Sequence, residues 1–382
     1  MFTTKFALSV LLLMSSVFAV FAHDTSSSSV APVATPRTMF AAGYDGWVRS
    51  VALDTDGTNF TLTEINKTNG CQTNPSWLAL QRDQERLWCL DEGWVTGNGT
   101  LNSFDIEDDG ASLVQTQRRN VSASPVQSTF FSSGDELVIA QYGGPPNSTI
   151  RGGLTFHDVN NDGALRGALN LTFEALEQPG PAPGQDVPRG HGVILNPTGQ
   201  WLVVTDYGAD KIRTFTVQNS IVYKGIELET PPGSAPRHAK FGKIGTNDYL
   251  FVVSENANTI TTYNVSYSGG LLHLTPPSRV IDTFGGKASA EVLKKAKASE
   301  IQISLDNKFL MVTNRMDNSF PESDSLANYR INADGSLAFL QLVPVGGLSP
   351  RQFTLNKAGD LVLVAATASE TITVLQRDPA RA

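Results

Sequence analysis

The chain predicts an all-β fold, a seven-bladed β-propeller, and three observations carry that prediction. The first is a three-strand meander in residues 188–217. Val193 to Leu195 is a short apolar run, and Asn196-Pro-Thr-Gly199 is turn chemistry. Trp201 to Thr205 is a second β-prone run, Tyr207-Gly-Ala-Asp210 turns again, and Ile212 to Val217 alternates. Proline presets φ for such turns and glycine accepts positive φ. Short apolar or alternating runs between turn signals read as strands. The second observation is recurrence. Related units begin at Pro236, Ser299 and Pro350, with weaker copies near Ser76 and Pro125 and a partial copy at Thr38-Met-Phe-Ala-Ala-Gly43. Their starts lie about forty to sixty-five residues apart, the period of propeller blades. One blade cannot bury both faces of its sheet, whereas a ring of blades can. The third is composition: 33 glycines and only 17% charged residues suit a turn-rich all-β chain.

The elements follow in order. Lys5 precedes an apolar run from Phe6 to Phe21, and Val20-Phe-Ala22 fits a small-residue cleavage rule, so residues 1–22 read as a secretory signal peptide. The run is short for a membrane span. Residues 23–37 form a Ser/Pro-rich leader, and residues 38–378 a single propeller. Blade 1 takes Thr38 to Gly43, Trp47 to Leu53 and Phe60 to Ile65. Blade 2 runs from Ser76 to Val121 and blade 3 from Pro125 to Leu171. A proline-rich loop (172–187) precedes blade 4, and blade 5 begins at Pro236. Ala288 to Lys297 reads as a short surface helix. Blade 6 begins at Ser299, and blade 7 runs from Pro350 to Leu375. So few residues follow Leu375 that the strand closing the ring is left unassigned.

Charge and motifs narrow the function. The net charge of −8, without a basic stripe, makes nucleic acid and anionic membranes poor partners. Nothing points to membrane insertion. Seven Asn-x-Ser/Thr sequons stand at Asn59, Asn66, Asn98, Asn120, Asn147, Asn170 and Asn264, and they agree with a secreted, extracellular or cell-wall glycoprotein. In an oxidising compartment Cys71 and Cys89, the two cysteines, are expected to form a disulfide worth about 3 kcal/mol; the alternative is two buried thiols. Asp158-Val-Asn-Asn-Asp-Gly163 begins like a calcium loop, but Leu169 stands where the bidentate glutamate belongs, so it reads as a hairpin turn. No metal-spaced Cys/His set, nucleophile elbow or phosphate-binding loop is present.

The repeat itself locates a site. The first two strands of a blade are antiparallel, so the start of the first and the end of the second share one edge. With the first strand innermost, these residues converge on one mouth of the channel. They are His191, Asp206, Arg237, His238, Glu255, Glu300, Arg315 and Arg351. Arginine suits planar carboxylates and phosphates, and His and Glu move protons near neutral pH. The mouth is thus expected to take a small anionic substrate, with Asp206, His238, Glu300 and Arg351 as binding residues. The competing reading is that the Arg–Glu pairs only tie neighbouring blades together.

At these residues the chain resembles the seven-bladed lactonase family, which includes the fungal 3-carboxy-cis,cis-muconate lactonizing enzyme and the propeller-type 6-phosphogluconolactonase. The resemblance rests on His191 with Asn196-Pro197, Pro236-Arg237, Ser254-Glu255 and Asn314-Arg315. It implies a catalytic set of His191, Arg237, Glu255 and Arg315, with no metal or cofactor. It also implies lactone hydrolysis or lactone formation on a polycarboxylate or sugar acid. A second expectation is a non-catalytic glycoprotein on the same scaffold, in contact with a cell wall or host surface.

Overall fold

The computed structural model describes residues 17–23, 37–56, 59–81, 85–122, 124–145, 148–160, 163–218, 220–275 and 280–381. Seven antiparallel sheets stand in a ring. Blade 1 holds β1 (Val17–His23), β2 (Arg37–Gly43), β3 (Val48–Thr55) and β4 (Phe60–Thr68). Blade 2 holds β5 (Pro75–Gln81), β6 (Arg86–Asp91), β7 (Gly99–Glu107) and β8 (Ser112–Val121). Blade 3 holds β9 (Pro125–Phe131), β10 (Glu136–Gln141), β11 (Gly153–Val159) and β12 (Leu165–Thr172). Blade 4 holds β13 (Gly190–Leu195), β14 (Trp201–Asp206), β15 (Lys211–Gln218) and β16 (Ile221–Glu229). Blade 5 holds β17 (Pro236–Ile244), β18 (Asn247–Ser254), β19 (Thr259–Ser268) and β20 (Leu271–Thr275), and β21 (Val280–Asp282) also pairs with β19. The short helix α1 (Ala290–Lys295), capped by the Ser289 hydroxyl, leads into blade 6. That blade holds β22 (Lys297–Ile303), β23 (Phe309–Arg315), β24 (Ser325–Ile331) and β25 (Leu337–Pro344). Blade 7 has three strands, β26 (Pro350–Leu355), β27 (Leu361–Ala366) and β28 (Thr371–Gln376).

Burial falls from the channel outward, and the sequence pattern explains it. The second strands β6, β10 and β27 are buried along their whole length, because neighbouring blades cover both faces. They accordingly read as unbroken apolar runs. The outer strand β12 is exposed beyond its first residue and alternates weakly. Apolar side chains gather in seven clusters, one at each contact between neighbouring blades. Met39, Val51, Leu363 and Val374 form the one that joins blade 7 back to blade 1. At the edge away from the site, the hairpin turns repeat one device. Asn196 Oδ1 accepts from the Gln200 and Trp201 amides, and Asn356 Oδ1 accepts from those of Asp360 and Leu361. Gly199 and Gly359 take the positive φ (75° and 72°) that these turns demand.

One feature could not be read from the pattern, and one expectation is met. The innermost position of blade 1 belongs to β1, which pairs with β2 and packs between β5 and β26. This strand is drawn from the expected signal peptide and the first residue of the expected leader; residues 1–16 and 24–36 lie outside the described residues. Cys71 and Cys89 form a disulfide with Cα atoms 6.0 Å apart. It lies in the core between blades 1 and 2 and ties the link between them to β6. Of the sequons, Asn59, Asn66, Asn98, Asn120, Asn170 and Asn264 are exposed, and Asn147 lies outside the described residues.

Candidate functional site at the channel mouth

A β-bulge recurs at the start of the inner strands of blades 2 to 7. In each, pairing skips at the same place. Ser76, Val126, His191, Arg237 and Arg351 each stand as one surplus residue, and Ser299 with Glu300 opposes the single Thr313. A bulge leaves its residue out of the ladder and re-aims the side chain. In three blades the residue before the strand's first proline also sits at positive φ: Ser124 (51°), Ala235 (55°) and Ser349 (58°). Left-handed backbone is costly there for a residue with a Cβ, and it bends the chain into the mouth.

The second strands contribute the residue at which they end. Tyr44, Glu92, Tyr142, Tyr207 and Glu255 immediately follow β2, β6, β10, β14 and β18, and Arg315 closes β23. Bulge residues and strand-end residues meet around a cavity of about 180 Å³ whose wall includes Glu92, Trp94, Tyr142, His191, Glu255, Arg315 and Arg351.

Glu255 is the hub of its electrostatics. Its Oε2 lies 2.9 Å from Arg237 Nε and 2.7 Å from Arg315 Nη2. Burial raises the carboxyl, but Arg315, Arg237 and Arg351 outweigh it, so Glu255 is held below the ordinary carboxylate range and stays ionised. Neither contact has an aligned N–H, and Arg315 Nε and Nη2 spend no directed hydrogen bond within the protein. Arg237 is pushed down to about 9 by burial and then by Arg315, and it remains a cation at neutral pH. Across the mouth, Arg351 Nη2 lies 3.6 Å from Glu92 Oε1, which accepts the Tyr44 hydroxyl at 2.7 Å. Burial raises Glu92 despite Arg351.

His191 is the candidate base. Burial, and then the charges of Arg237, His238 and Arg351, hold it well below its ordinary range, so it is a neutral imidazole. The Tyr142 ring meets it edge-on at 5.8 Å. Burial pushes Tyr142 up to about 12 and raises Tyr207 as well, so both present O–H groups rather than phenolates.

Residues 38–382 match the family model described as "Lactonase, 7-bladed beta-propeller". The chain belongs to this seven-bladed lactonase family. It is 26% identical over 336 residues to "Probable 6-phosphogluconolactonase" of Arthroderma benhamiae, covering 87% of this chain and 80% of that one. It is 26% identical over 312 residues to the 6-phosphogluconolactonase of Formosa agariphila, covering 80% and 82%. Among solved structures it resembles the periplasmic gluconolactonase PpgL of Pseudomonas aeruginosa, with TM-score 0.73, 25% identity and coverage of 87% and 88%.

In this family member the expected residues separate into layers. His191, Glu255, Arg315 and Arg351 line the cavity. Arg237 backs Glu255, and its Nη1 donates to the Ser299 carbonyl at 3.0 Å, so it also ties blade 5 to blade 6. The blade-tying reading is thus correct for Arg237 without removing it from the site. His238 and Glu300 lie deeper, in contact with each other at 2.8 Å. Asp206 is not at the cavity. It is fully buried, accepts from the Arg189 and Ala209 amides at 2.7 and 3.0 Å, and pairs with Arg213 at 2.8 Å. Asp91 does the same for the Asn74 amide in blade 2. These acids close the loop beneath the mouth, and the residue after each one reaches the cavity.

That offset is why the sequence reading missed Glu92 and Tyr207. Tyr44-Asp-Gly46, Tyr142-Gly143 and Tyr207-Gly208 each end a second strand, and the shared Tyr was the available signal. A further missed residue is Arg189. It donates to the Gly184 carbonyl at 2.8 Å and to those of Gly144 and Tyr142, pairs with Asp186 at 2.8 Å, and stacks 4.8 Å from the Tyr142 ring. It clamps the proline-rich loop against Gly144 and Pro145 in the cavity wall.

Proposed function

We propose that this protein hydrolyses a sugar-acid lactone in the mouth cavity. The observation that carries the reading is that a neutral His191 and the Arg315 guanidinium line the same cavity. Relatives named for gluconolactone hydrolysis support the hydrolytic direction over lactone formation on a muconate. Water attacks the ring ester carbonyl while His191 takes its proton. Arg315 stabilises the oxyanion that develops on the carbonyl oxygen. Glu255 holds Arg315 and Arg237 in place, which keeps the like charges compatible. Arg351, with Glu92 and Tyr44, holds the polar end of the substrate, and Tyr142 and Tyr207 donate to its hydroxyls. The test is acid release from glucono-δ-lactone and its 6-phosphate at mildly acidic pH, where spontaneous ring opening is slow. Turnover well above the spontaneous rate is expected on at least one of them. A folded protein without turnover on either would instead favour a non-catalytic glycoprotein on this scaffold.

Secretion belongs to the same proposal. It is supported by the leader pattern, the disulfide and the six exposed sequons. Mass spectrometry of the protein from culture medium is expected to give an N-terminus at His23 and glycans on exposed sequons. That cleavage removes all of β1 but its last residue. A chain that keeps Val17–His23 would overturn the cleavage site and leave β1 as the inner strand of blade 1.

A further inference from the structure

Behind His191 a second and third titratable group continue into the channel, on the next two inner strands. His238 on β17 has its ring centroid 5.0 Å from that of His191, with the planes at 67°. His238 Nδ1 lies 2.8 Å from Oε2 of Glu300 on β22. The other Glu300 oxygen accepts from Gln302 Nε2 at 3.2 Å. His191 Nδ1 and His238 Nε2 are both buried and have no partner. At this centroid spacing, a turn of the His191 ring that faces its Nδ1 toward His238 Nε2 brings the two nitrogens toward hydrogen-bond range while His238 Nδ1 stays on Glu300.

We propose that His191, His238 and Glu300 form a proton relay, and that the proton taken from the attacking water comes to rest on Glu300. The inference rests on the hydrolytic reading of the mouth with His191 as base. Its physical ground is the cost of a charged imidazole here. Arg237, whose Nη1 lies 3.3 Å from His238 Nδ1, stands on the same strand as His238, as does Lys240. Arg351 on β26 and Arg315 on β23 add positive charge from the neighbouring blades; of the acids, Glu300 lies against His238, and Glu255 and Glu92 line the same cavity as His191. Burial and these cations oppose an imidazolium at either position. His191 therefore takes a proton at the cavity only by giving one up at its other nitrogen.

The transfer balances. As the water oxygen bonds to the carbonyl carbon, its O–H bond breaks and the proton goes to His191 Nε2. The His191 Nδ1 proton passes to His238 Nε2, and the His238 Nδ1 proton passes to the Glu300 carboxylate. Both imidazoles stay neutral and have exchanged tautomers. When the ring C–O bond breaks, the path reverses and delivers the proton to the leaving alkoxide. Burial pushes the Glu300 carboxyl up to about 7, against the pull of Lys240 and Arg237, so it can hold and release a proton near neutrality. His238 and Glu300 touch no substrate and act through His191.

Glu300→Gln keeps the size and the hydrogen bond to His238 but cannot accept a proton. On glucono-δ-lactone its kcat is expected to fall roughly 10²-fold or more, with KM within about twofold. The limb of the pH–rate profile near 7 should vanish with it, and Glu300→Asp should restore part of kcat with that limb displaced. Imidazole ¹⁵N NMR gives a readout independent of turnover. In the wild type, His191 and His238 should change tautomer together as Glu300 titrates, and in Glu300→Gln neither should change. A wild-type kcat and pH profile in Glu300→Gln would overturn the relay. If Glu300→Gln does not fold, Glu300→Asp with an unchanged profile does so instead. If the wild type turns over no lactone, the hydrolytic reading fails separately, and the NMR decides. Coupled tautomers support the relay; tautomers that stay fixed in the wild type, or still move in Glu300→Gln, overturn it.

Discussion

His191→Asn should lower kcat on a sugar-acid lactone by roughly 10²–10⁴-fold while the protein stays folded. The side chain lines the cavity, and its Nδ1 has no partner in the protein, so the replacement orphans no bonded group there. The pH dependence carries the sign of the surroundings. The base is the neutral imidazole, and burial followed by Arg237, His238 and Arg351 holds its pKa well below 6.5. The neutral imidazole therefore persists as pH falls through 6.5 and is lost only in more acid solution. Wild-type kcat/KM should fall first through the limb near 7 that belongs to Glu300, and more steeply only clearly below 6.5, where His191 protonates. In Glu300→Gln, a remaining acid limb at or above 6.5 would show that some other group is the base. Thermal unfolding of His191→Asn close to the wild type, beside the lost turnover, would separate chemistry from folding.

The two arginines that share Glu255 should fail differently. Arg315→Ala is expected to lower kcat roughly 10²–10³-fold, the scale of losing an oxyanion donor, with little loss of stability. Arg315 faces the cavity, and Glu255 keeps Arg237 at 2.9 Å when it goes. Arg237→Ala is expected to lose turnover and also to cost about 3 kcal/mol of folding stability, the lower end for breaking a buried ion pair. It removes a fully buried guanidinium and leaves the Ser299 carbonyl without its donor. Urea unfolding of both variants checks this. The position of Arg237 behind Glu255, between blades 5 and 6, is what sets it apart from Arg315. Equal stability losses in the two variants would mean that Arg315 is structural as well.

Much of the fold was legible because blades bury their second strands on both faces. Leu137-Val-Ile-Ala140 and Leu361-Val-Leu-Val-Ala365 are continuous apolar runs for that reason, and the Asn and Gly of each hairpin mark where they turn. The site was legible as a set because antiparallel pairing puts strand starts and strand ends at one edge. His191, Glu255, Arg315 and Arg351 were found that way. Asp206 stands one residue short of the cavity because an acid that closes a loop and a residue that faces a cavity adjoin in sequence. Only hydrogen-bond geometry tells them apart.

The sequence by itself therefore determined the blade count, the order of the inner strands in blades 2 to 7 and the kind of chemistry gathered at the mouth, since local periodicity and residue type are properties of the chain. The tertiary structure decided which of those residues face the cavity. Bulges at Arg237 and Arg351 add one residue to a pairing that hydrophobic pattern cannot count. The opposition of Arg351 to Glu92 exists only once the ring has closed and brought blade 7 beside blades 1 and 2. The layering of His191 over His238 and Glu300 follows from the packing of inner strands around a channel, a distance across blades that no spacing along the chain records.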